Sequence, residues 1–257
     1  MNDIDNNLYS YFTSRDIKIV NQRFENIRKI SLEDIKIQIK NIVTFQNAVR
    51  GYKDNILPRI GGSIGKDLEC YKVQVKNLEL DLERITYKKE KNIVDIFILE
   101  EGEELLSRAK RAISYVENSN YIKLIKRSMG EYEVCLGVVT EENLRKDKNG
   151  NLEIGTIKYL TYNLVEQDAY SYLRYIKKKN YKIDMEYMIE YFANESLLED
   201  DSIEYLKGLM SYPAESLRLW DKYRRNKKKL TEEEYVEEFY KAKRNDSNDL
   251  IVKGGVI

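Results

Sequence analysis

Histidine does not occur anywhere in the 257 residues of this chain. Its absence removes Ser/His/Asp and Cys/His nucleophile activation, imidazole acid–base work and every zinc site that needs an imidazole. Cysteine is nearly as scarce, with Cys70 and Cys135 as its two representatives. Two thiols cannot staple a disulfide mini-fold, and they suit a reducing compartment, here expected to be the cytoplasm. Proline occurs at Pro58 and Pro213, and no low-complexity linker or repeat divides the chain, so one continuous domain is the simplest organisation. No charged leader ahead of an apolar stretch opens the sequence, no apolar run reaches bilayer length, and no membrane partner is expected. Net charge is missing too: 44 Lys and Arg balance 44 Asp and Glu. No global field exists to draw nucleic acid or anionic lipid, so a charged partner must meet a local patch, and nucleic acid is not the expected one. What remains for chemistry is carboxylate, lysine, tyrosine or thiol, and no complete catalytic constellation of these is visible. The expectation is a protein that acts by binding.

What the chain has in quantity is Ile, Lys, Asn, Glu and Tyr, including 21 tyrosines. That bias matches an AT-rich coding sequence and says little about function. The apolar positions say more. Ser31 to Arg50 begins with a capping serine and carries Leu32, Ile35, Ile39, Ile42, Val43 and Phe45 at helical spacing, with Gly51 as the stop. After the loop around Pro58, the series Ile64, Leu68, Tyr71, Val75, Leu78, Leu82 and Ile85 steps by four and three. Such a stripe suits a coiled-coil seam or the buried face of a bundle helix, and the second is expected. A less regular helix follows from about Ile93 to Val116.

The period changes in the middle. Glu133 to Gly137 looks extended, and Lys148-Asn149-Gly150-Asn151 signals a two-residue hairpin turn flanked by strands at Asn143–Arg145 and Leu152–Ile157. Helical patterns return at Val165–Lys178, Met185–Ala193, Ser202–Met210, Ala214–Arg224 and Glu232–Ala242. The fold class is therefore mainly α with a small β-hairpin, an α+β arrangement.

Two short motifs invite functional readings. Gly61-Gly62-Ser63-Ile64-Gly65-Lys66 has the glycines and lysine of a phosphate loop, but lacks the four-residue spacing, the Ser or Thr after the lysine and the preceding strand. A helix N-terminus is expected there. Arg224, Arg225, Lys227, Lys228 and Lys229, beside Tyr223, form a possible phosphate-binding surface. Their place at a helix C-terminus, just ahead of Glu232-Glu233-Glu234, also suits a solvated loop with charges matched to the helix dipoles. Cys135, in an apolar strand without an activating histidine, reads as a buried inert thiol.

Phe45-Gln46-Asn47-Ala48-Val49-Arg50-Gly51-Tyr52, the central hairpin, and the run Ser211-Tyr212-Pro213 to Trp220-Asp221-Lys222-Tyr223 together resemble the aminoglycoside-phosphotransferase-like kinases, and in particular their spore-coat, CotS-type branch. The resemblance covers roughly Ser31 to Tyr240 and implies a kinase-like C-terminal lobe. In that family a His-Gly-Asp loop supplies the base, an Asn five positions later holds magnesium, and an Asp on the next strand binds the bridging metal. Here the loop reads Leu136-Gly137-Val138 with Asn143 at the right offset, and Thr156 stands at the metal-Asp position. Gly and Asn fit; base and metal carboxylate do not. About thirty residues precede Ser31, too few for the several strands and the lysine of a kinase N-lobe.

The resemblance thus implies a degenerate, pseudokinase-like member without catalytic residues, cofactor or metal, serving binding or assembly in sporulation, in the mother cell or the spore coat. Two alternatives stay open. One is a small-molecule phosphotransferase with carboxylates relocated to Glu141, Glu142 or Asp147; the other is a nucleic-acid-associated protein using the basic cluster at 224–229. The expected organisation is an extension or lid over 1–30, a kinase-like helical domain over 31–244 and a tail over 245–257. With no upper lobe to cover it, the exposed lobe face needs a cover. Leu8, Tyr9, Tyr11, Phe12, Ile17, Ile19, Val20 and Phe24 supply apolar area for a lid, supplemented by a protein partner or by self-association, most simply as a homodimer.

Overall fold

The computed structural model describes residues 3–25, 30–53, 60–179, 183–225, 230–246 and 248–251. In chain order these form α1 (Asp3–Thr13), β1 (Ile17–Ile19), α2 (Leu32–Val49), β2 (Gly61–Gly62), α3 (Lys66–Thr86), α4 (Ile93–Asn118), α5 (Tyr121–Glu131) and β3 (Val134–Cys135). Then come β4 (Leu144–Lys146), β5 (Leu152–Ile154), β6 (Thr161–Tyr162), α6 (Glu166–Lys178), α7 (Met185–Glu195), α8 (Asp200–Ser211), α9 (Ala214–Arg224) and α10 (Glu232–Asn245). The protein is mainly helical, as its periodicity predicts. None of the described helices is long and apolar enough to cross a membrane.

The chain divides into two compact units. Unit 1 comprises 1–64, 121–176 and 182–203; unit 2 comprises 65–120, 177–181 and 204–257. In unit 1, α2 starts at a reciprocal capping box, in which Ser31 Oγ accepts from Asp34 N at 3.1 Å and Asp34 Oδ2 accepts from Ser31 N at 2.8 Å. Its face of Ile35, Ile39, Ile42, Phe45 and Val49 is buried. Gly51, at φ 81°, ends it by turning into the left-handed region, and its N–H reaches Glu131 O at 3.0 Å.

Two small sheets complete unit 1, where the sequence suggests one hairpin. The hairpin pairs β4 with β5 antiparallel, and β1 adds to β5 in parallel, Ile17 opposite Leu152 and Ile19 opposite Ile154. In the second sheet β6 lies between β2 and β3. The turn also differs from the two-residue expectation. Asp147 Oδ1 accepts the N–H groups of Asn149 (2.8 Å) and Asn151 (2.9 Å), so the side chain of Asp147 builds a longer loop, and Gly150 is its positive-φ residue.

Unit 2 is helical. The stripe Leu68, Tyr71, Val75, Leu78, Leu82 and Ile85 of α3 is buried, as expected of a bundle helix. Gly65, at φ 80°, is its N-cap; Lys66 begins the helix, while Gly61 and Gly62 are strand residues and not a phosphate loop. A capping box of Asn92 and Asp95 starts α4. The two helices approach closely at Gly102, where a Cβ would lie 2.7 Å from Leu82 Cδ2. Aromatic rings fill the rest: Phe97 stacks on Phe239 at 5.1 Å, Trp220 lies 6.1 Å from Phe239, and Tyr71 stacks on Tyr212 at 3.9 Å.

Candidate functional site

Leu136, Gly137, Val138 and Asn143 share the loop that joins β3 to β4 in unit 1, and Thr156 lies just past β5. One carboxylate holds the start of the loop. Leu136 N donates to Asp168 Oδ2 and Gly137 N to Asp168 Oδ1, both at 2.9 Å. Asp168, in the first turn of α6, is buried, and Gln46 Nε2 approaches its Oδ2 at 3.4 Å while donating to Val165 O at 2.9 Å. Burial pushes the Asp168 carboxyl up to about 6, against the pull of those hydrogen bonds toward the charged form. Gly137 sits at φ 79°, and a Cβ there would meet Tyr159 O at 2.8 Å, so the position is closed to other residues by conformation and by space.

Asn143 holds the other end. Its Nδ2 donates to Val138 O at 2.7 Å and to Thr156 O at 3.1 Å, and its Oδ1 accepts from Thr156 N at 2.7 Å. With 1% of its surface exposed, this side chain clamps the loop to the exit of β5. Gln38 of α2 adds a second clamp, donating to Val139 O at 2.7 Å and Leu144 O at 2.9 Å. Thr156 Oγ1 accepts from Lys158 N at 3.3 Å, and Val138 offers no ionisable group.

The N-terminal segment runs along this loop. Val20 N donates to Ile154 O and Phe24 N to Glu142 O, each at 2.8 Å. A Cβ on Gly155 would lie 2.6 Å from Gln22 O and 3.0 Å from Asn143 Oδ1, so the absence of a side chain at Gly155 admits the crossing segment. Phe12, Ile17 and Phe24 are buried, and Phe12 meets Phe45 edge-on at 6.2 Å.

Of the neighbouring carboxylates, Glu141 is half engaged: its Oε2 is buried and has no hydrogen-bond partner among the described residues. Glu141 Oε1 accepts from Tyr172 OH at 2.5 Å, and burial raises the Glu141 pKa above its ordinary value. Asp147 belongs to the hairpin turn described above. Among the described residues no group of three or more His, Cys, Asp and Glu side chains is arranged to hold a metal ion. Cys135 is buried with its Sγ donating to Leu164 O at 3.0 Å, and burial drives its pKa well above that of a free thiol. Of the basic cluster, Arg224 gives its Nε to the buried Asp81 at 2.5 Å and Arg225 lies 3.9 Å from Asp221; Lys227, Lys228 and Lys229 lie outside the described residues.

Below the loop lies an ion network that sequence reading passed over. Arg127 Nε meets Glu133 Oε1 and its Nη2 meets Glu166 Oε2, both at 2.8 Å, while Ser202 Oγ donates to Glu166 Oε1 at 2.5 Å. Both glutamate side chains are fully buried. A sequence signal did exist on α2, where Gln38, Asn41 and Gln46 interrupt an otherwise apolar face; polar residues buried there must bond to something.

No family model and no curated protein matches the chain. Among solved structures it is similar to an aminoglycoside phosphotransferase from Alicyclobacillus acidocaldarius, with a TM-score of 0.64 and 13% identity over 83% of this chain. Its fold is aminoglycoside-phosphotransferase-like. The chain spans 63% of that structure's length, and at such low identity the likeness of this kinase-type fold carries architecture and not chemistry.

Proposed function

We propose that this chain is a non-catalytic, pseudokinase-like binding or assembly protein, of the spore-coat type that its sequence resembles. The observation that carries the reading is the state of Asn143. The residue that would present an oxygen to magnesium in an active relative has both amide hydrogens and its oxygen engaged by Val138 and Thr156 backbone, under a chain segment that crosses at Gly155. Val138 and Thr156 supply no carboxylate to either side of it, although phosphoryl transfer depends on such charges. The first thirty residues act in this reading as a built-in lid, and the partner is another protein or a second copy of the chain. The sporulation setting follows from the sequence resemblance.

Calorimetry of the full chain with ATP and magnesium tests the proposal. No saturable heat is expected. A micromolar, magnesium-dependent dissociation constant would overturn it in favour of a phosphotransferase with relocated carboxylates.

A further inference from the structure

A pocket in unit 1, of about 360 Å³, opens between the end of α2, α5 and the turn that joins α7 to α8. It shares no residue with the Asn143 loop and does not depend on the reading above. Two hydrogen-bond donors in its wall have no acceptor among the described residues. One is Ser196 Oγ, on a residue only 9% exposed; the other is Arg50 Nε, whose Nη1 is held by Glu131 at 3.2 Å. The other two cations of the wall are already matched: Lys123 bonds Glu199 and, at 2.8 Å, Asp201, and Arg127 is held by Glu133 and Glu166. The open valences therefore belong to two specific groups. Both residues line the pocket, and a buried donor without an acceptor is costly, so an acceptor group in the pocket that reached them would be favoured.

One side of the pocket is apolar and unusual. Leu197 occupies the left-handed position after α7, at φ 54°, where glycine is the ordinary residue, and its side chain is 92% exposed. Leu124 and Leu198 line the same pocket. Charge decides which oxyanion fits. Glu131 and Glu199 stand on the wall and oppose a dianion such as phosphate, whereas a single negative charge can bond the two donors while its chain covers the leucines.

We infer that this pocket binds a monocarboxylate with a short apolar chain, its carboxylate on Arg50 Nε–H and Ser196 O–H and its chain against Leu197, Leu198 and Leu124. The full chain titrated with hexanoate, and followed by the Arg50 side-chain N–H and Leu197 methyl resonances, tests it. A saturable shift of both signals is expected, with affinity about tenfold or more above that for acetate or inorganic phosphate, since the chain adds buried apolar area. Ser196→Ala should weaken hexanoate about tenfold, the loss of one hydrogen bond to a charged group. Leu197→Gly relieves the backbone and should weaken binding without destabilising the fold, which keeps the test valid should Ser196→Ala disturb packing. The inference is overturned by donors that water alone satisfies, seen as no saturable shift with hexanoate. It is equally overturned by phosphate binding as tightly as hexanoate, or by unchanged affinity in both variants.

Discussion

The two units are held together by different physics. Unit 1 buries charge: Arg127 with Glu133 and Glu166, and Asp168 under the loop amides of Leu136 and Gly137. Unit 2 relies mainly on rings and aliphatic stripes, from the α3 stripe to Phe97, Phe239 and Trp220; its buried carboxylates Asp81, Asp95 and Glu215 pair with cations that are more exposed than Arg127, and most of its other ion pairs lie at the surface. Buried charge contributes little net stability, because desolvation offsets attraction, but it tolerates the loss of one partner very badly. It also fixes geometry. In unit 1 buried polar side chains hold a loop backbone in place, while Val138 within that loop and Thr156 beside it carry no charge. The difference between the units is one between holding a shape and filling a volume.

The strongest way to break that comparison is to remove Arg127. Arg127→Ala leaves two buried carboxylates facing each other, and the expected loss is about 3–5 kcal/mol of unit 1 stability. Hydrogen exchange of the Leu136 and Gly137 amides reads it locally, while the fluorescence of Trp220, the single tryptophan, reports unit 2. A loss below about 1 kcal/mol would mean that the network is solvated in practice.

A smaller and more diagnostic effect comes from Asp168. Its folded pKa of about 6 lies above the ordinary 3.8, so between those values the folded chain keeps a proton that the unfolded chain has released. Stability should therefore fall as pH rises from about 4 to about 6, by roughly 3 kcal/mol in total at 1.36 kcal/mol per unit. Asp168→Asn should lower stability at all pH values, since one of the two amides loses its acceptor, and should flatten this slope. Glu133 and Glu141, also raised by burial, retain a part of it. A slope unchanged in the variant would assign the titration to them instead.

These groups also mark where sequence reading stops. Ser31 with Asp34, and the α3 stripe, announce their helices because capping and amphipathic spacing are local properties. Asn143 was singled out only through a family resemblance, as a magnesium position; its role as the clamp between Val138 and Thr156 depends on contacts that the fold supplies. Asp168 was not singled out, since its role depends on amides 31 and 32 residues away that only the fold brings near. The helix α5 escaped notice because its buried face has few members, Tyr121, Leu124 and Ser128, and Ile122 and Met129 are exposed on other faces. Strands of two or three residues, such as β1, β2 and β6, are too short to show alternation at all. That the N-terminal apolar residues would seek burial was readable, and Phe12, Ile17 and Phe24 are buried, whereas the helix and parallel strand that arrange them were not.

The smallest effect sharpens the comparison from the other side. Phe97 of unit 2 is nearly buried, stacked on Phe239 at 5.1 Å and edge-on to Tyr240 at 5.2 Å. Phe97→Leu keeps an apolar side chain of good helix propensity but removes both ring pairs, so the expected cost is about 1–2 kcal/mol, from aromatic contact and a little unfilled volume. Phe97 and Phe239 carry no ionisable group, and the cost should be the same at pH 4 and pH 7. Trp220, 6.1 Å from Phe239, provides the signal in urea unfolding. A cost that changed with pH would tie the Phe97 site to one of the buried ionisable groups of unit 2, with Asp246, which accepts from Glu215 N and Ser216 Oγ and is raised by burial, as the first to replace. A cost that held constant, beside the sloping response of Asp168, would separate the two units by the kind of interaction that folds each.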